Sequence, residues 1–330
     1  MNPAITDRLS KSFFCILLAG ALLTIVPEFA SHSTVLAVGV TNSTKNPLQV
    51  ALLHWYDANL ITAFPVTSPL CVAFDGAAMW ATTLNSSSGS VTKFRISDGA
   101  KLGTYPAGPG AFGVAFDGAN IWVTDSSSLT VSKLRASDGS LLGSFSVGIE
   151  PRGIAFDGAN IWTANAGDNT VSKLRSSDGA SLGTFTVGSV PTGIAFDGAN
   201  IWVSNVGGNT VMKIRPSDGK ILGTFGAAAP YFLAFDGANI WTAGDGVTKL
   251  RASDGKLLGI FKVGTGPSSA LVFDGLDIWV TSEYSSTVSK LNESGQVLGA
   301  FTVGNGSFGI AFDGAHVWVA NRKSNTVSKL

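Results

Sequence analysis

Short apolar runs alternate with polar breaks along most of the chain. In residues 153–193 the runs GIAF, NIWTAN, TVSKLR and SLGTFTV are separated by Asp-Gly, Gly-Asp-Asn and Ser-Asp-Gly, and GSVPTG follows the last run. Short runs rich in β-branched and aromatic residues, bounded by such turn residues, are typical of antiparallel strands. The pattern predicts a four-stranded meander, whose strands we name a to d in chain order.

This meander repeats. The tripeptide Phe-Asp-Gly recurs at intervals of 38 to 42 residues, and a tryptophan stands six positions after each of its phenylalanines. The phenylalanines are Phe74, Phe116, Phe156, Phe196, Phe235, Phe273 and Phe312. A period of about 40 residues with four strands per unit is typical of β-propeller blades. The sequence therefore predicts an all-β protein, a seven-bladed β-propeller of four-stranded antiparallel blades.

The strand order also predicts how the ring closes. Phe64, an aromatic residue of the strand d type, precedes the first Phe-Asp-Gly, and the chain stops at Leu330 within strand c of the seventh repeat. We expect the N-terminal strand around residues 60–66 to complete the last blade, because closure leaves few free strand edges. Residues 48–57 (LQVALLHWYD) also resemble a strand c, which indicates either a capping strand or a truncated gene.

The first thirty residues have a different pattern. Arg8 and Lys11 precede an apolar run at residues 13–26, which Pro27 ends. This run is short for a membrane span and is typical of a signal peptide at residues 1–30, with cleavage as late as residue 37 or an uncleaved anchor as alternatives. An N-terminal extension (31–57) and the propeller (58–330) follow. We expect an exported bacterial protein: periplasmic, cell-surface or secreted.

Composition and charge limit the kinds of partner that we expect. Only 13% of the residues are charged and 40 are glycine, which fits a compact β protein rather than a disordered one. Acidic and basic residues number 22 each. This balance gives no reason to expect nucleic acid as a partner, or a membrane beyond the signal segment. Cys71 is the one cysteine of the mature part, so no internal disulfide is expected. We expect a monomer.

The repeat unit resembles the YVTN-type repeat of YncE-like bacterial propellers. IWVTD (121–125), IWVSN (201–205), DNTVSKL (168–174) and VGSVPTG (187–193) carry the match. NHL-repeat proteins, gluconolactonase-like enzymes and streptogramin lyases are similar more distantly. Because these families include both binding proteins and enzymes, the resemblance implies a fold and no single activity.

The repeated polar and aromatic residues have structural interpretations. The aspartates of Phe-Asp-Gly form hairpin turns and lie on a ring too wide to share a metal ion. The tryptophans lie in strand b, where they pack between blades. The basic pairs of strand c, such as Lys133 and Arg135, are assigned to a solvated outer face.

We identify no catalytic residue, cofactor or metal ligand. The resemblance to streptogramin lyases would imply histidines with a glutamate and a divalent cation on one face. The histidines here are His32, His54 and His316, and no two of them are placed to form such a site. The CxxC, HExxH, GxSxG and P-loop motifs are absent from the sequence, which counts modestly against an enzyme.

A ligand site is expected where the repeats differ. The a–b and c–d turns share one face of the ring, which we call the Asp-Gly face, and the d–a and b–c loops share the other, which we call the variable face. Propeller ligands usually enter by loops of the second kind. The candidate ligand-binding residues are Phe112, Glu150, Arg152, Tyr231, Glu283, Tyr284, Phe308 and Arg322. Ordinary drift of solvent-facing loops is the alternative explanation.

The sequence thus predicts a non-catalytic binding module for a small molecule, glycan or protein at the cell envelope. One alternative is a metal-dependent lyase or lactonase-like enzyme with a site at the channel mouth, where Glu150 and Glu283 are the chief acids. Another is a structural cell-surface protein, whose repeats need only fit their neighbours.

Overall fold

A computed structural model describes residues 62–330 of the chain. The predicted signal peptide (1–30), the extension (31–57) and the strand-like segment at 48–57 lie outside these residues. Within the described part, no helix has the length and apolar character needed to cross a membrane.

The described residues form 28 strands in seven four-stranded sheets. The strands are β1 (Thr62–Pro65); β2 (Pro69–Phe74), β3 (Ala78–Thr83), β4 (Ser90–Arg95) and β5 (Lys101–Pro106); β6 (Ala111–Phe116), β7 (Asn120–Asp125), β8 (Thr130–Arg135) and β9 (Leu141–Ser146); β10 (Pro151–Phe156), β11 (Asn160–Asn165), β12 (Thr170–Arg175) and β13 (Ser181–Thr186); β14 (Pro191–Phe196), β15 (Ile201–Asn205), β16 (Thr210–Ile214) and β17 (Ile221–Gly226); β18 (Leu233–Phe235), β19 (Asn239–Gly244), β20 (Gly246–Arg251) and β21 (Leu257–Phe261); β22 (Leu271–Phe273), β23 (Ile278–Ser282), β24 (Thr287–Leu291) and β25 (Val297–Thr302); β26 (Ser307–Phe312), β27 (Val317–Asn321) and β28 (Thr326–Lys329). A short 3-10 helix, Val206–Gly208, lies between β15 and β16.

The sheets are the blades of a seven-bladed β-propeller. Blades 1 to 6 are antiparallel meanders in chain order, from β2–β5 to β22–β25. Blade 7 has the order β1-β28-β27-β26. β1 pairs with β28 from Thr62 opposite Lys329 to Pro65 opposite Thr326. The predicted fold class and the closure by the N-terminal strand are both confirmed.

The core lies between the blades, as we predicted from the positions of the tryptophans in strand b. Trp162 of strand b is fully buried and stacks on Phe185 of strand d, with ring centroids 5.7 Å apart. Phe185 in turn covers Gly219 in the c–d turn of the next blade, where a Cβ atom would collide with the ring. Gly219 also has a φ of +72°, which glycine adopts without strain. Each blade therefore fits the next through an aromatic pair and a glycine.

The predicted turn role of the repeated aspartates is also observed. Oδ1 of Asp157 accepts hydrogen bonds from the backbone N–H groups of Ala159 (2.9 Å) and Asn160 (2.6 Å). Its Oδ2 accepts one from Nε1 of Trp162 at 2.7 Å. Burial opposes ionisation of this carboxyl, but the hydrogen bonds outweigh it, so the pKa of Asp157 lies below its usual value.

The prediction that the lysines of strand c lie on a solvated outer face is wrong. Lys133 is buried, and its Nζ donates to the carbonyl groups of Ser176 (2.7 Å) and Ser177 (3.0 Å) in the next blade. The same Nζ lies 5.0 Å from the ring centroid of Trp122. The ring and the carbonyl groups replace the water that a buried ammonium loses. Arg135 is exposed, as expected, and pairs with Asp138 at 2.9 Å.

Candidate functional site

Strand a begins irregularly at the variable face, and blade 3 shows how. In blade 3, Pro151 pairs with Asn165 and Ile154 pairs with Thr163, so Arg152 and Gly153 fall outside the regular register. The hydroxyl of Thr124 in blade 2 donates to the carbonyl of Arg152 at 2.7 Å. Strand b of one blade thus holds the start of strand a in the next.

The channel wall at the start of strand a is built mainly from small residues. A cavity of about 140 Å³ lies here, and it is lined at this level by Cys71, Gly113, Gly153, Phe232, Ala270 and Gly309. A Cβ atom at Gly153 would collide with the carbonyl oxygen of Thr192 in the next blade. Burial raises the pKa of the Cys71 thiol to about 12. None of the residues that line the cavity carries a charge.

Three phenylalanines from different blades meet at the variable face, and we call them the Phe cluster: Phe112, Phe232 and Phe308. Phe308 packs edge-on against Phe112, with ring centroids 6.2 Å apart, and against Phe232 at 5.8 Å. Phe112 and Phe232 are stacked at 6.4 Å. Phe308 is buried, with Leu70 beneath it, whereas Phe112 and Phe232 are half-buried. The structure thus brings together the predicted Phe112 and Phe308.

Tyr231 was predicted at this mouth, but its neighbour Phe232 is the residue that joins the cluster. Phe232 stands where Gly153 and Gly193 stand in their blades, and it is the large side chain among the channel-lining residues of that level. This replacement of a glycine by an aromatic residue was the signal in the sequence. It was missed because only the preceding position was compared between repeats.

The predicted Glu150 and Arg152 form an ion pair at the start of blade 3. Glu150 Oε1 accepts hydrogen bonds from Arg152 Nη2 at 2.6 Å and Nε at 3.2 Å. The arginine side chain is 23% exposed. Arg152 has the position in blade 3 that Phe112 has in blade 2, since the carbonyl group of each accepts a hydrogen bond from a threonine of the preceding blade.

The remaining candidates gather on the b–c loops of blades 6 and 7. Lys323 Nζ lies 3.3 Å from Glu283 Oε1 and 5.6 Å from the ring centroid of Tyr284. Tyr284 is 70% exposed, and Arg322 is exposed beside Lys323. Lys323, which was not among the candidates, is the residue that links this group.

The two acids proposed for the enzyme alternative are engaged separately, since Glu150 binds Arg152 and Glu283 binds Lys323. Across residues 62–330, no group of three or more His, Cys, Asp and Glu side chains is placed to hold a metal ion. His316 lies on the Asp-Gly face, with Nδ1 3.5 Å from Asp313 Oδ2. The other two histidines precede the described residues.

One buried acid was not singled out from the sequence. Asp125 ends strand b of blade 2, at the position of Asn165 in blade 3. Its Oδ2 accepts hydrogen bonds from Ser132 (2.7 Å) and Thr130 (3.2 Å), and its Oδ1 has no partner. Burial raises the pKa of Asp125 to about 6. The signal was the one aspartate at a position where three other blades have asparagine: Asn165, Asn205 and Asn321.

Comparison with known proteins adds relatives by structure and none by sequence. No protein-family model and no curated protein matches the chain. Among solved structures, hydrazine synthase of Kuenenia stuttgartiensis superposes with a TM-score of 0.71 at 17% identity, covering 82% of this chain and 97% of that one. That protein and this chain share the seven-bladed propeller fold.

Two lyases superpose over the same 82% of the chain. An inactive histidine-to-alanine variant of virginiamycin B lyase from Staphylococcus aureus, with quinupristin, has a TM-score of 0.70 at 19% identity, covering 98% of that chain. A streptogramin B lyase has a TM-score of 0.67 at 18% identity, covering 96%. At these identities the likeness shows the fold alone, and it transfers no activity.

Proposed function

We propose that this propeller is an exported, non-catalytic binding module of the YVTN type, which takes a small molecule, glycan or protein of the cell envelope on its variable face. The Phe cluster is the observation that carries the proposal. Its members come from blades 2, 5 and 7, far apart in sequence, yet they form one apolar surface at the channel mouth. The binding requires neither nucleic acid nor a second copy of the chain.

The chemistry of the mouth favours a ligand with an apolar or aromatic group and a polar group beside it. Phe112 and Phe232 are half-buried, so each presents part of its ring to solvent. Ligand sites combine such apolar surface with a few placed polar groups. The Glu150–Arg152 pair supplies them, because the arginine is already oriented by the two hydrogen bonds that it donates to Glu150.

A thermal-shift screen of the protein against glycans, peptides and lactones tests the proposal. We expect a ligand that raises the melting temperature of the parent protein and of Arg135→Ala, which changes the opposite face, but not of Phe232→Ala. Blade 6 carries Ala270 at the position of Phe232, so the fold accepts a small residue there.

Two results would contradict binding at the Phe cluster: no stabilising ligand, or equal stabilisation of all three proteins. The screen includes divalent metals followed by EDTA. A metal-dependent rise in melting temperature that EDTA reverses would instead support the metal-dependent lyase or lactonase-like alternative.

A further inference from the structure

The Asp-Gly face exposes one leucine from every complete blade. Where strand c pairs with strand d, the register shifts by one residue in blades 1 to 6. In blade 2, for example, Leu134 pairs with Leu141 and Lys133 pairs with Gly143, so Leu142 bulges from the strand. The bulged residues, which we call the leucine rim, are Leu102, Leu142, Leu182, Leu222, Leu258 and Leu298, each between 41% and 53% exposed.

The fold gives no reason for leucine at this position. The bulge lies at the start of the outermost strand, and the interior of the blade is filled by other residues, such as Phe145. The preceding residue is less uniform, but in four of the six blades it adds a second exposed apolar side chain: Leu141, Ile221, Leu257 and Val297. A leucine in all six copies, with close to half of its surface in water, indicates a surface that meets an apolar partner.

Charges near the rim are largely compensated. Exposed arginines of strand c pair with aspartates of the c–d turn in five blades, as Arg135 does with Asp138. Three rim lysines have no acidic partner within the described part of the chain: Lys101, Lys220 and Lys256. Lys220 and Lys256 each stand two residues before a rim leucine, and Lys101 stands one residue before. Leucine beside uncompensated lysine is the combination that binds anionic lipid surfaces.

The course of the chain identifies the occupant. β1 begins at Thr62 opposite Lys329, so the chain enters the propeller at the Asp-Gly face. The preceding residues carry the apolar run at 13–26, flanked by Arg8 and Lys11. In the uncleaved-anchor form that the sequence allows, the chain that enters at β1 therefore also carries the most apolar segment of the sequence.

We propose that the leucine rim rests on the surface of an anionic lipid bilayer, with the variable face turned away from it. The six leucines occupy equivalent places around a closed ring, so a flat surface meets them together, whereas a compact protein partner meets only a few. This interface replaces the expectation that no part of the propeller contacts a membrane. It is independent of what the Phe cluster binds.

The test measures which face lies on the lipid. The full chain, with Cys15→Ser, carries an environment-sensitive fluorophore on either Leu258→Cys at the rim or Ile149→Cys on the variable face, where Ile149 is also exposed. Both proteins are added to vesicles of phosphatidylcholine and phosphatidylglycerol that contain a headgroup-linked quencher. Because both retain residues 13–26, any anchoring by that run is the same. We expect several-fold stronger quenching at position 258 than at 149.

A rim variant tests whether the leucines cause this orientation. Replacing the other five rim leucines by serine should lower quenching at position 258 to the level at 149, while Leu129→Ser on the variable face should leave it unchanged. Near-UV circular dichroism checks that each variant keeps its fold. Equal quenching at the two positions of the parent chain, or an unchanged signal in the serine variant, would overturn the proposal. Shielding of the rim label without vesicles, rising with protein concentration, would identify a second copy as the occupant and overturn it as well.

Discussion

The smallest repeated unit of this protein is an aspartate, a tryptophan and a lysine. In blade 2, Asp117 Oδ2 accepts a hydrogen bond from Trp122 Nε1 at 2.7 Å, and Lys133 covers the other part of the ring. Lys133 then binds two carbonyl groups of blade 3. The unit therefore joins a turn, a core side chain and the neighbouring blade. A buried ammonium in such a unit is structural rather than available for an anionic ligand.

Lys133→Met tests this unit. Methionine fills similar space but leaves the Ser176 and Ser177 carbonyl groups without their donor, so we expect a loss of about 1–3 kcal/mol in the free energy of unfolding. The control Arg135→Met removes an exposed ion pair and should change stability by less than about 1 kcal/mol. Urea unfolding followed by tryptophan fluorescence measures both. Equal effects of the two substitutions would show that the buried contacts contribute no more than the surface pair.

The stability of the folded protein should depend on pH through Asp125. Burial raises the pKa of its carboxyl to about 6 in the folded protein, from an ordinary value of 3.8. Protonation therefore favours the folded state: the stability is fully present below the unfolded pKa and is lost as the pH rises through about 6. Asp125→Asn should stabilise the protein by up to about 3 kcal/mol above pH 7, at about 1.4 kcal/mol per pKa unit. The gain should vanish near pH 4.

Asparagine already has this position in blade 3, as Asn165. Asn165 Nδ2 donates to Thr170 and Ser172 at 2.9 Å, so an amide fits the same hydroxyl groups. Urea midpoints measured from pH 4 to pH 8 compare the variant with the parent protein. A parallel pair of curves, with no convergence at acid pH, would show that Asp125 does not carry the raised pKa.

At the scale of strands and turns, the sequence predicted what is local and missed what depends on the ring. Phe-Asp-Gly and Ser-Asp-Gly mark hairpins by the conformations that Asp and Gly adopt, so strands such as β11 and β12 were expected where they lie. The burial of Lys133 was missed because its partners belong to the next blade. That contact leaves no mark within one repeat. Phe232 did leave a mark, an aromatic residue where blades 3 and 4 have glycine, but its contacts with blades 2 and 7 follow only from the closed ring.

At the scale of the whole molecule, stability depends on one strand that closes the ring. β1 covers the edge of β28 over four residue pairs. Phe64 stacks on Trp318 of blade 7, with ring centroids 5.7 Å apart, and packs against Phe94 of blade 1 at 6.4 Å. Without β1, blade 7 has an unpaired edge and the contact between the last and first blades loses its aromatic residue. An exposed strand edge of this kind also promotes aggregation.

Two truncations separate the closing strand from the chain that precedes it. Removal of residues 1–57 leaves β1 in place and should keep the melting temperature of the propeller. Removal of residues 1–65 deletes β1 and should cost about 3 kcal/mol in the free energy of unfolding, because the partly buried Phe64 and the pairing with β28 are lost together. Calorimetry or urea unfolding measures the difference, and light scattering reports aggregation through the open edge. If the two truncated proteins unfold at the same midpoint, the ring does not need its closing strand, and the seven blades are held by neighbour contacts alone.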